Sequence, residues 1–220
     1  MAECTARVEA GQPLAAAFAA GGVVCLGPGV HAGSWLLEAS VTLRGEAGAV
    51  LEGGGGSVVA VEGDDLVVRI ESLTLRGGSA EAGGAVSLTG YSALALVGCT
   101  VEGNTARSRG GAPGGGGGGV YASRGTLRVE GSTFRGNRAT VGSDLFVTGV
   151  ADVIVVGGHL GGDVAAREGA KLVLDGVTVD GHLDARGTTT RAPVVQLKGG
   201  RLRGGVKNDA SLPARVEIVK

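Results

Sequence analysis

The chain has 220 residues, 45 of them Gly, with 43% apolar but only 3% aromatic side chains, and its 20 Lys and Arg nearly cancel its 21 Asp and Glu. A formal net charge of -1 removes the whole-molecule electrostatic case for nucleic-acid binding. Apolar mass carried by Val, Leu and Ala points to a narrow coiled β structure, and no apolar run reaches the roughly 18 residues of a membrane span.

In chain order, Met1-Ala2-Glu3-Cys4 opens without the charged and apolar segments of a secretory signal. The expectation is a cytosolic protein or a mature secreted domain. Cys4 and Cys25 bracket one short N-terminal unit and are read as a disulfide that favours secretion, the alternative being two unrelated buried thiols; Cys99 falls in a core column. After a strand over residues 5–8, a helix is expected over about residues 12–20, with Pro13 in its first turn, Ala in its interior and Gly21-Gly22 ending it. Residues 1–35 then form an N-terminal cap that covers the first rung of a solenoid, and residues 36–220 form rungs of the same domain.

The rungs are announced by a recurring motif. It reads Leu94-Ala95-Leu96-Val97-Gly98-Cys99-Thr100-Val101-Glu102-Gly103-Asn104, then returns from Leu127 to Asn137 and from Leu172 to His182. The buried residue before each turn runs Leu43, Leu75, Val101, Phe134, Leu160, Val179, Leu202, at intervals between 19 (Leu160 to Val179) and 33 (Val101 to Phe134) residues. A constant motif at variable spacing means rungs that share a core and differ in loops. Each rung holds three short strands, with inward pairs such as Leu94/Leu96, Cys99/Val101 and Val120/Ala122. A tight corner demands left-handed backbone, which assigns Asn104, Asn137 and Asp163 to one corner column. Outward residues alternate in charge on successive rungs, as at Arg76, Glu102 and Arg135 and again at Asp180 and Arg203.

These residues resemble right-handed parallel β-helix proteins of the pectate-lyase-like superfamily: the Ala-rich helix, Pro28-Gly29-Val30-His31 and Val41-Thr42-Leu43-Arg44-Gly45 look like the opening of such domains. Phe134-Arg135-Gly136-Asn137 and Gly83-Gly84-Ala85-Val86 resemble the short repeats of chlamydial polymorphic outer-membrane proteins. The resemblance implies an all-β, right-handed parallel β-helix of about seven to eight rungs with an N-terminal capping helix, at a cell surface, and transfers no active site.

No catalytic residues, metal site or cofactor are assigned. Asp64-Asp65 reads as a solvated turn far from His159. His159, Asp175, Asp180, His182, Asp184 and Arg201 fall on consecutive rungs but without metal-ligand spacing. Residues 105–119 read as a Gly-rich inserted loop that protrudes from the body. Around it Arg107, Arg109 and Arg138 emerge near outward Tyr121 and Phe146, a combination suited to an anionic sugar or a partner surface. The expected function is a non-catalytic extracellular or cell-surface structural or adhesive module that binds polysaccharide or a surface protein. The rivals are a polysaccharide lyase or glycoside hydrolase of β-helix type and a self-assembling intracellular scaffold. The last strand, residues 214–220, is expected to lack a cap, which suggests an end-to-end homodimer.

Overall fold

The computed structural model describes residues 3–107, 115–187, 191–207 and 214–219. Three parallel sheets wrap one core. The first holds ten strands, from Ala6–Val8 through Gly22–Leu26 to Arg215–Val219; the second holds eight, from Gly29–Ala32 to Arg201–Leu202; the third holds eight, from Trp35–Leu37 to Val206–Lys207. The chain visits the sheets in turn, so each strand pairs with its equivalent one circuit later, and pairing at that separation is parallel throughout. The chain is an all-β parallel β-helix, with eight complete rungs among the described residues, its crossovers expected to share the right-handed sense of parallel β connections generally.

Alternation along each strand builds the core. In the first sheet Leu43, Ile70, Leu96, Val129, Val155 and Leu174 occupy successive positions of one inward column, and all are buried. Each such side chain contributes about 1.5–3 kcal/mol by leaving water. A slip of one residue would turn a whole column outward, so the alternation sets the register.

The N-terminal end differs in detail from the sequence expectation. The helix is Ala15–Ala20, shorter than residues 12–20, because Gln12 closes a turn with Glu9: its side-chain Oε1 accepts from the Glu9 N–H at 2.9 Å while its own N–H donates to the Glu9 carbonyl at 3.0 Å. Gly21, at φ 70°, ends the helix. Leu14 and Phe18 are buried under it, and Phe18 meets Trp35 edge-on with centroids 5.8 Å apart, closing the first rung. That rung begins at Gly22–Leu26, so rungs start inside the segment 1–35 assigned to the cap. Cys4 and Cys25 form a disulfide with Cα atoms 5.7 Å apart, and Cys99 is a buried free thiol.

The Gly-rich insert also differs. Residues 108–114 lie outside the described residues, but what flanks them is built into the wall. Thr105–Ala106 pairs with Ser79–Ala80, Thr105 bridges to Arg138, and Gly116 bridges to both Ala82 and Val141. Residues 115–119 are buried. A Cβ on Gly116 would overlap the Phe146 ring, so Gly is required there by close packing, not by flexibility.

Candidate functional site

Four polar regions stand out, and the corner between the second and third sheets is the most buried. Asn104 and Asn137 lie within it, essentially without solvent. Asn137 Oδ1 accepts from Asn104 Nδ2 at 3.0 Å and from the Asn104 backbone N–H at 3.1 Å, while Nδ2 of each also donates to a carbonyl on a preceding rung, Leu75 for Asn104 and Val101 for Asn137. The ladder ends on Asp144: its Oδ1 accepts from Asn137 Nδ2 at 2.9 Å and its Oδ2 from the Gly162 N–H at 2.6 Å. Burial, the dominant influence, pushes the Asp144 carboxyl above the usual aspartate range, against those hydrogen bonds, which favour the anion.

Asp163 holds the equivalent corner one rung on, between His159–Leu160 and Val164–Arg167, but its side chain does not extend the ladder: it is half exposed, and its Oδ1 accepts from the His182 backbone N–H at 2.7 Å, with His182 Nδ1 3.3 Å away. One sequence assignment is corrected here. Asn104, Asn137 and Asp163 do not carry the left-handed backbone. The preceding Gly103 and Gly136 do, each at φ 63°, which frees the Asn residues to point inward. Asp144 went unnoticed because it follows the corner while the motif alignment stops before it; a lone acid ahead of a third strand, in Gly142-Ser143-Asp144-Leu145, was the available signal.

The aromatic corner is the second region. Tyr121 and Phe146 occupy adjacent positions of one outward column with centroids 5.5 Å apart. Arg107 and Arg138 are exposed on the neighbouring turns, and Arg109 lies outside the described residues. Among the described residues, the arginine seated on a ring is Arg124, 5.7 Å from the centroid of Tyr91.

On the C-terminal rungs two aspartates each gather two basic partners. Asp180 accepts from His159 Nε2 at 2.8 Å and from Arg203 Nη1 at 2.9 Å, and the His159 hydrogen bond, with Arg203 adding its charge, holds its carboxyl below the ordinary range. Arg167 and Arg186 converge on Asp184 at 2.6 and 2.7 Å. On the second sheet Glu52, Arg76, Glu102 and Arg135 form one outward column, with ion pairs Arg76–Glu52 at 2.8 Å and Arg135–Glu102 at 2.5 Å. No three His, Cys, Asp or Glu side chains among the described residues are arranged to hold a metal ion. No helix among them is long and apolar enough to cross a membrane.

The fourth region was not read from the sequence. On the outer face of the first sheet, Arg69, Ala95, Arg128 and Ile154 are successive members of one column, and Val67, Ala93, Thr126 and Asp152 of another. Ala93 and Ala95 are short where their neighbours are long, so the shared rung forms the floor of a cleft of about 440 Å³. Arg69 and Arg128 stand on either side, two rungs and hence about 10 Å apart. Each is about half exposed, and each engages a glutamate of its own strand through Nε: Arg69 holds Glu71 at 2.5 Å, and Arg128 holds Glu130. Among the described residues, that leaves the terminal nitrogens of two guanidinium groups as donors toward a ligand. The Arg69 hydrogen bond, joined by Arg44, keeps the Glu71 carboxyl low, so Arg69 is anchored by an anion. Exposed Val67 and the carboxylate-bearing Asp152 also line the cleft.

No protein-family model matches this sequence, and no curated protein matches it.

Proposed function

We propose that this chain is a non-catalytic structural or adhesive module, of the pectate-lyase-like β-helix type, that acts outside the cell and binds an anionic glycan. The observation that carries the reading is the first-sheet cleft: an apolar floor at Ala93 and Ala95 between anchored Arg69 and Arg128. Guanidinium groups about 10 Å apart along a strand column suit carboxylates or sulfates repeated along an extended chain. The Cys4–Cys25 disulfide supports an oxidising location. His159, Asp163, Asp180 and His182, the acids and bases that lie closest together, are engaged in pairs between rungs, which supports a role in register over one in bond cleavage.

Titration with a panel of anionic polysaccharides tests this. Binding is expected without new reducing or unsaturated ends, and Arg69→Ala with Arg128→Ala weakens it by at least about tenfold, while Arg135→Ala on the second sheet leaves it unchanged. Product formation, or loss of binding on Arg107→Ala with Arg138→Ala instead, overturns the reading.

A further inference from the structure

The strand Arg215–Val219 pairs along one edge, with Val194–Lys198, and ends the ten-stranded sheet. Its inward residues Val216 and Ile218 continue the columns of Val195 and Leu197. Higher in the Ile218 column Ile70, Leu96, Val129 and Val155 are at most 1% exposed, whereas Ile218 is 70% exposed. Val179, Leu197, Leu202, Val206 and Ile218 line a hollow of about 270 Å³ beside it. Among the described residues no strand pairs with its other edge, and an open edge next to an apolar hollow favours another strand.

We propose that this face docks a second copy of the chain, the two final strands pairing antiparallel about a two-fold axis through Val216. The charge pattern selects both partner and register. Within one strand Arg215 holds Glu217 at 2.6 Å, and both lie on the outer face. With Val216 opposite Val216, Arg215 of each copy faces Glu217 of the other, so four charges close into an alternating ring, and Ala214 lies opposite Ile218. With Glu217 at the axis, the two carboxylates would oppose each other, which is unfavourable. A two-fold pairing buries the same patch on both copies and stops at a dimer. Head-to-tail stacking is disfavoured, because the opposite end presents a three-residue strand, Ala6–Val8, and a rung covered by buried Leu14 and Phe18. This face is separate from the first-sheet cleft, so the two proposals stand or fall independently.

Light scattering and sedimentation of the 220-residue chain across a concentration range test the proposal. A concentration-dependent dimer is expected. Glu217→Arg sets Arg against Arg and weakens the dimer at least about tenfold, and adding Arg215→Glu in the same chain restores it by reversing every pair. Circular dichroism and melting of each variant separate lost docking from lost folding. A monomer at the highest soluble concentration, a dimer indifferent to Glu217→Arg, a double variant that stays monomeric although folded, or open-ended growth beyond the dimer would each overturn it.

Discussion

Asp144 is the residue at which buried polarity and stability meet most directly. A carboxyl whose pKa is raised on folding contributes stability that is fully present below its unfolded-state value of about 3.9 and lost as pH rises through the folded value. Burial raises Asp144, so the advantage of the wild-type chain over Asp144→Asn should shrink as pH rises from about 4 through that folded value, measured by urea unfolding at a series of pH values. An advantage that grows with pH would mean that the Asn137 and Gly162 hydrogen bonds outweigh burial. Half-exposed Asp163 offers the contrast: Asp163→Ala should cost less than about 1 kcal/mol, whereas Asn137→Ala, which strips donors from buried Val101 O and from Asp144, should cost about 2–3 kcal/mol. From the sequence, the inward Asn column could be expected at Asn104 and Asn137. Its acidic end could not, because membership depends on which side chain reaches across a corner, and motif spacing carries no such distance.

At the scale of the element, strands were far more legible than corners. Period-two alternation, together with the penalty for turning a column outward, specifies register, so pairings such as Leu94 with Leu127 and Cys99 with Ser132 follow from aligning the motif. A run of Gly carries no comparable code. It serves equally as a mobile linker or as backbone pressed against a neighbour, and at residues 115–119 packing decides for the second. Gly116→Leu should therefore destabilise the fold by about 1–3 kcal/mol through overlap with the Phe146 ring, and Phe146→Ala in the same chain should recover part of that loss in thermal melts. Full additivity of the two changes would count against the contact. The first-sheet cleft escaped notice for a related reason. Outward Arg69, Ala95 and Arg128 share a column only once the rungs are stacked, and a trough between long side chains belongs to no single strand.

Across the whole molecule the two ends are treated differently. The first rung is covered by Phe18 and Leu14 and tied by the Cys4–Cys25 disulfide, while the last leaves Ile218 and Val206 in solvent. In a solenoid each rung is stabilised chiefly by its neighbours, so opening starts where a neighbour is missing. Native-state hydrogen exchange at low protein concentration should be faster in Val194–Lys198 and Arg215–Val219 than in Val67–Glu71 or Ala93–Val97. Equal protection from end to end would contradict this.

The sequence by itself determined the rung: three short strands, their inward rows, the parallel stacking and the capping helix, because alternation and a repeated turn motif are local patterns with one packing solution. Only the tertiary structure decided which side chains meet between rungs. Asp144 took the end of the ladder expected of Asp163, residues 115–119 became wall, and two arginines separated by 59 positions came to flank one cleft. Those outcomes depend on distances across corners and on the relative lengths of stacked side chains, which exist only after the coil has closed.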